Sequence, residues 1–383
     1  MSRLFSPFQI GGVTLKNRVM ISPMCQYAGR DGLAGYYHLA HYGRFALGGA
    51  GLVMVEVTAV TPEGMGTTGD LGLWNDAQQG ELAKVAQCIA ALGAVPAIQI
   101  GHAGRKGSTQ RPWHGGGPLT ETDQRERGET PWPLVAPSPI AMTAERPMPQ
   151  ALDADGIAAI RDAFVASARR GVAAGFKVIE VHSAHGYLLN QFVSPISNHR
   201  NDAYGGDLPG RCRLSCEIVA AIKAELPADC ALFVRISAAD GVEGGHELAD
   251  SVVFARLLKE AGADLIDCSS GGLTGRASGS RLAIRRGYQV PYAEAIRREV
   301  GIPTVAVGLI LDGPQAEGVL DEGAADLIAI GRAALDDPNW PLHAQQALDG
   351  PGYDHWPPES GWWLDKRAAQ LRAIAAAEGQ ATA

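Results

Sequence analysis

Two histidines three positions apart, His182 and His185, with Tyr187 two further on, are the side chains of this 383-residue chain best suited to steady a developing negative charge and pass on a proton. Imidazole N–H groups donate to an oxyanion, and a phenol is a proton donor. They follow the apolar run from Phe176 to Val181, whose length and branched residues, bounded by Gly175, predict a buried strand. The spacing alone leaves three readings open: catalysis, satisfied structural histidines, or half of a zinc site. Their place where a strand ends favours the first, because functional groups gather on the loops after parallel strands.

Two further patterns carry chemistry. Arg235 stands alone among apolar neighbours in Ala231-Leu232-Phe233-Val234-Arg235-Ile236-Ser237. A charge there is rarely buried unpaired, so it is a core salt bridge or a ligand contact. Near the end of the chain, Val307-Gly308-Leu309 and Ile330-Gly331-Arg332 place glycines and an arginine after two apolar runs. Such glycines let backbone amides approach a phosphate, and the arginine adds complementary charge.

The elements that must position these residues alternate regularly. Strands are expected over 17–22, 52–59, 95–100, 176–181, 231–237, 264–268, 303–307 and 326–330. Helices are expected over 36–47, 76–92, 153–174, 211–226, 246–261, 292–300 and 314–322, with an eighth starting at Arg332. A short helix is expected over 188–195. The strands are too apolar to alternate, which favours a closed parallel (β/α)8 TIM barrel of the α/β class over an open sheet. Phe8-Gln9-Ile10 and Val13-Thr14-Leu15, joined by Gly11-Gly12, read as a β-hairpin capping one end. Residues 103–150 lapse into Pro, Gly and charge, a long loop insertion after the third strand. A loop rich in Gly, Ser and Arg opens at Ser269 and runs to about Gly287. Residues 1–350 thus form a single barrel domain and 351–383 a tail, read as a subunit contact. Cys25, Ala59, Gln99, His182, His185, Arg235, Gly308 and Arg332 all fall at carboxyl ends of strands, where barrel active sites lie.

A hydrophobic fraction of 46% is ample for such a core. A net charge of −8, with no Lys/Arg-rich run, argues against nucleic acid or an anionic membrane surface as the principal partner. Met1-Ser2-Arg3-Leu4-Phe5 lacks a signal-peptide core and no run approaches the roughly 20 apolar residues of a membrane span, so a cytoplasmic protein is expected. Six scattered cysteines form no paired framework and are expected to be reduced, with Cys212 and Cys216 packing and no metal site.

Assembled, the motifs resemble the old yellow enzyme family of FMN-dependent ene-reductases, most of all its thermophilic-like branch with the bacterial xenobiotic reductases. The likeness runs from Leu4 to Pro341 and rests on Pro-Met-Cys-Gln-Tyr at 23–27, Gln-Ile-Gly-His-Ala-Gly-Arg-Lys at 99–106, His-Ser-Ala-His-Gly-Tyr-Leu at 182–188, Asn-x-Arg-x-Asp-x-Tyr-Gly-Gly at 198–206 and Ile-Gly-Arg at 330–332. The resemblance implies a tightly bound FMN across the top of the barrel, with NADPH or NADH as reductant. Pro23, Met24, Cys25 and Ala59 would line the flavin, and Gln99 and Arg235 would hold its pyrimidine edge. Ser270, Gly271, Gly308, Gly331 and Arg332 would surround ribityl and phosphate. A cation at the ring carbonyl suits an anionic reduced flavin, which gives Arg235 a reason to sit on a core strand. Cys25, where other members carry Thr, would tune the flavin. His182 and His185 would bind the carbonyl oxygen of a small-molecule enone, Tyr187 would protonate the α-carbon, and Tyr27 would line the pocket.

A homodimer or homotetramer is expected, and the resemblance implies a tail contact, since some relatives present a C-terminal Arg to a neighbour's pocket and others a Trp. Trp362 and Trp363 match the latter type. Asp207-Leu208-Pro209-Gly210-Arg211 departs from the family pattern and leaves the local geometry there open. Three rivals stand beside this reading: a flavin barrel of dienoyl-CoA reductase type, for which no Cys follows Cys268; a non-redox barrel enzyme acting on a phosphate-bearing ligand, for which no carboxylate base adjoins the histidines in sequence; and a flavin-binding protein without catalysis.

Overall fold

Eight parallel strands close on themselves in the computed structural model, which describes residues 2–274 and 283–381. They are β1 (Val19–Ile21), β2 (Leu52–Ala59), β3 (Val95–Gly101), β4 (Val178–Ser183), β5 (Ala231–Ser237), β6 (Leu265–Ser269), β7 (Thr304–Ala306) and β8 (Leu327–Ile330). Closure comes from β8 pairing with β1, Ile328 opposite Val19, while β1 also pairs with β2. Each strand is buried on both faces, because the outer face packs under helices and the inner face fills the barrel. The helical ring comprises α1 (Tyr36–Leu47), α2 (Asp76–Ala91), α3 (Ala154–Ala173), α4 (Leu208–Glu225), α5 (Leu248–Glu260), α6 (Val290–Val300), α7 (Gly313–Asp321) and α8 (Trp340–Asp349). This is the (β/α)8 barrel expected, with the short helix at Leu188–Val193.

The lower interior is an apolar plug of Met20, Met54, Phe233, Leu265 and their neighbours, continuous with Ile10, Val13 and Leu15 of the antiparallel hairpin that seals that end. A Cβ on Gly12 would lie 1.8 Å from Ala228 O, so the hairpin turn meets the barrel backbone directly. Above the plug the inward positions turn polar, and this is the end that carries the site.

Several boundaries differ from expectation for local reasons. Helix α4 starts at Leu208 and not Arg211: Asp207 Oδ1 accepts from Gly210 N at 2.9 Å and Pro209 occupies the first turn. The Asp-Leu-Pro-Gly departure is therefore a helix start. Helix α5 begins at Leu248, since His246 is committed to Asp240 through its N–H (2.7 Å) and to Ser251 through Nε2 (2.7 Å). The helix at Arg332 ends at Asp336, and α8 is a separate element. The 103–150 insertion holds a helix at Glu121–Arg127, and its Val135–Ala136 pairs with Gln150–Ala151. The tail continues as a 24-residue helix, Pro358–Ala381. Residues 275–282 of the loop after β6 lie outside the described residues. The six cysteines are free, and no helix among the described residues is long and apolar enough to cross a membrane.

Candidate active site

Strand β1 delivers Pro23-Met24-Cys25-Gln26-Tyr27 across the carboxyl end of the barrel, with Tyr27 at φ 55. This segment is pinned from β2: Gln26 N donates to Glu56 Oε2 at 2.7 Å and Tyr42 Oη to Glu56 Oε1 at 2.9 Å. Burial lifts the Glu56 carboxyl to about 8. Pro23, Met24 and Cys25 keep partly open surfaces, and Ala59 closes β2 beside them.

His182 ends β4 opposite Arg235 of β5, and its Nδ1 has no hydrogen-bond partner although the side chain is buried. Burial first, then Arg235 and Lys106, push its pKa well below the ordinary value, so the ring is neutral. His185 is neutral for the same leading reason. Its backbone is held in the left-handed region, φ 56, by N–H donation to Ser237 Oγ (2.8 Å) and by its carbonyl accepting from Lys106 Nζ (2.6 Å). Lys106 also donates to Gly272 O at 2.9 Å and so ties the loop after β4 to the loop after β6. Gly272 has to be glycine: a Cβ there would lie 2.6 Å from His185 Cα. The two imidazoles are 5.1 Å apart between ring centroids, and Tyr187 stands edge-on to His182 at 4.9 Å. Burial first, then Cys25, raise the Tyr187 phenol well above its ordinary range, which keeps it protonated. The histidines are not equivalent, since His185 Nε2 lies 2.6 Å from Ser269 Oγ.

Arg235 takes the salt-bridge reading of a lone charge on a strand and also stands in a cavity wall. It pairs with Asp267 Oδ2 at 3.3 Å, and it lines a cavity of about 710 Å³ that runs to Gly308, Gly331 and Arg332. At the far end of that cavity Gly308 has φ 114. A Cβ on Gly331 would meet nothing nearer than Met24 Sδ at 3.8 Å, and the Arg332 side chain has no carboxylate partner among the described residues. A buried cation at one end, a bare glycine cradle with a free guanidinium at the other and a half-open Pro-Met-Cys edge fit FMN, with an anionic ring edge against the first and a phosphate against the second.

Of the expected site residues, Pro23, Met24, Cys25, Tyr27, Ala59, Gln99, His182, His185, Tyr187 and Arg235 converge on the carboxyl end of β1 to β5. Gln99 is committed through Nε2 to Glu180 Oε1 at 2.8 Å. Ser270 spends its hydroxyl on Gln289 Oε1 (2.7 Å), and Gly271 donates its N–H to Ala239 O at 2.8 Å. Among the described residues Trp362 and Trp363 stand on the surface: they are 53% and 66% exposed on the C-terminal helix, edge to face at 4.6 Å. Sequence reasoning missed Lys106 as a tie, Gln289 in the cavity wall, and the carboxyls Glu56, Glu180 and Asp267. The carboxyls carried the signal that marked Arg235, a charge inside an apolar strand.

The barrel and this cavity define a flavin-type oxidoreductase, and comparison with known proteins places it. The chain matches the NADH:flavin oxidoreductase / NADH oxidase family over residues 3–350, and it belongs to that family. It is 44% identical to the NADPH dehydrogenase of Halalkalibacterium halodurans over 348 residues, 90% of this chain and 95% of the other. Among solved structures it is similar to the old yellow enzyme homologue from Zymomonas mobilis, with TM-score 0.73, 25% identity, and coverage of 91% of this chain and 93% of that one. It shares its fold with a 2-naphthoyl-CoA reductase at TM-score 0.81 and 24% identity, covering 92% of this chain but spanning only about half, 53%, of that one. The protein is an oxidoreductase of the old yellow enzyme family that uses FMN with a nicotinamide nucleotide as reductant.

Proposed function

We propose that the protein is an ene-reductase, reducing the activated C=C bond of α,β-unsaturated carbonyl compounds with NADPH. The observation that carries this reading is the convergence of two neutral imidazoles, one buried and one half-buried, and a protonated half-buried phenol beside Arg235. FMN, when bound, supplies the hydride for the β-carbon. The chain supplies the rest. His182 offers its unpartnered ring nitrogen to the enone oxygen, and His185 joins it by exchanging its bond to Ser269. Neutral donors suit this task, because they stabilise developing negative charge without first surrendering a proton. Tyr187 then protonates the α-carbon as general acid. Tyr27 walls the pocket, while Arg235 and Gln99 meet the pyrimidine edge. Pro23, Met24, Cys25 and Ala59 line the flavin, and Ser270, Gly271, Gly308, Gly331 and Arg332 surround its ribityl phosphate.

The visible spectrum of the purified holoenzyme tests this. Anaerobic NADPH is expected to bleach it and cyclohexenone to restore it; a bleached spectrum that the enone leaves unchanged would overturn the reading. A second expectation concerns the phosphate. Arg332→Ala removes a charge-assisted contact worth about 1.5–3 kcal/mol, so FMN dissociation constants should rise roughly ten- to a hundredfold. Equal FMN content of variant and wild type after dialysis would contradict the placement.

The barrel is taken as one catalytic domain over residues 1–350 and the tail over 351–383 as a contact in a homodimer or homotetramer. The C-terminal helix supports this by leaving the apolar side chains of Trp362, Trp363, Leu371 and Ile374 exposed. Truncation before Gly361 is expected to give a folded protein with altered enone KM and a smaller mass in solution. Unchanged kinetics and unchanged mass would remove the tail from the site.

A further inference from the structure

Four neighbouring barrel strands direct polar side chains at one another just above the apolar plug: Gln99 of β3, Glu180 of β4, Arg235 of β5 and Asp267 of β6. Register explains the meeting. Glu180 stands opposite Gln99 on one side and Phe233 on the other, and Arg235 stands between His182 and Asp267. The two carboxyls therefore flank β5, and both are 0% exposed. Their oxygens are poorly supplied. Glu180 Oε1 accepts from Gln99 Nε2 at 2.8 Å, while Glu180 Oε2, Asp267 Oδ1 and Asp267 Oδ2 have no hydrogen-bond donor. Arg235 Nε lies 3.3 Å from Asp267 Oδ2 as an ion pair, without hydrogen-bond alignment.

Two ionised carboxylates facing one guanidinium would leave a net negative charge in a sealed interior, which is strongly unfavourable. We propose that Glu180 and Asp267 hold one proton between them, so that the pair carries a single negative charge and sets how much of the Arg235 cation reaches the flavin. One shared proton provides the missing donor between the two groups and makes the triad with Arg235 neutral. The other groups facing the cluster do not alter this count: Gln99 is uncharged and His182 is neutral. Glu180 and Asp267 are on this view positioning residues, touching the cofactor only through Arg235. The second half of the proposal rests on Arg235 meeting the flavin as proposed above; the shared proton does not.

The charge count makes an unusual expectation. Glu180→Gln or Asp267→Asn removes one carboxylate and its proton together, leaving one negative charge, the same as in the wild type. In the holoenzyme, infrared spectra with heavy-carbon-labelled Glu and Asp, which separate the signal from flavin carbonyls, should show a protonated-carboxyl band that shifts in D2O. Glu56, which burial also keeps protonated, adds a band that persists in every variant; the further band of the Glu180–Asp267 pair should be lost in either single variant. The midpoint potential of bound FMN should be unmoved in each single variant and shift positive in the double variant, where the Arg235 cation is unopposed. No carboxyl band lost in the single variants, or a positive shift in potential in either of them, overturns the shared proton. The expected band with no shift in the double variant overturns the placement of Arg235 at the flavin instead.

Discussion

Replacing His182 and His185 together by alanine should leave FMN bound while enone reduction falls by several orders of magnitude. Loss of one donor to a developing oxyanion typically costs about 10²- to 10³-fold in turnover, and here two are removed. The histidines sit after β4, at the Arg235 end of the cavity and away from Arg332, so the phosphate cradle is untouched. Flavin reduction by NADPH should suffer less, since that step develops no oxyanion on the enone. The single variants should be unequal, with His182→Ala the more damaging: its Nδ1 is free, whereas His185 must first give up its 2.6 Å contact with Ser269. Stopped-flow measurement of the two half-reactions, with FMN content read in parallel, checks this. Flavin lost together with activity would make the pair structural.

The second large effect is expected at Arg235. Arg235→Leu keeps the bulk of the strand position but withdraws the one positive charge from a site holding Glu180 and Asp267, both fully buried. Breaking a buried pair in this way costs about 3–5 kcal/mol, and FMN affinity should fall with it. The loss should depend on pH in a definite sense. Burial already raises both carboxyls above their ordinary pKa, Glu180 further through the charge of Asp267, while the Arg235 cation pulls both down. Without it both move higher still. A group with a raised folded-state pKa contributes stability that is complete below its unfolded value and fades as pH rises through the folded one. The variant should therefore be nearest to wild type at about pH 4 and below, and progressively weaker toward neutrality and above. Urea midpoints of both proteins across that range decide it; a destabilisation independent of pH would mean that the carboxyls do not answer to Arg235.

How far the sequence reaches can be judged from particular residues. Eight apolar runs with helices between them determined the barrel, because burial on both faces writes itself into every residue of a parallel strand. The hairpin at Gly11-Gly12 was equally local. Motif order marked the carboxyl ends that carry Cys25, His182, His185, Arg235 and Arg332. Caps read by composition alone were less secure, as Asp207-Leu208-Pro209-Gly210 shows: a helix start there looks like a loop until the Asp207 side chain is seen accepting from Gly210.

Only the tertiary structure decided what lies between strands. Lys106 reaches His185 O and Gly272 O, 79 and 166 positions away, and no period in the sequence could announce that bond. Glu180 and Asp267 meet because β4 and β6 flank β5 in the closed barrel. Whether Arg235 was a salt bridge or a ligand contact was open in sequence; the fold supplies the salt bridge to Asp267 and places the guanidinium in a cavity wall. The apolar face of a strand is set by its own residues, but the partner of a buried charge is set by strand order and register, which exist only once the barrel has closed.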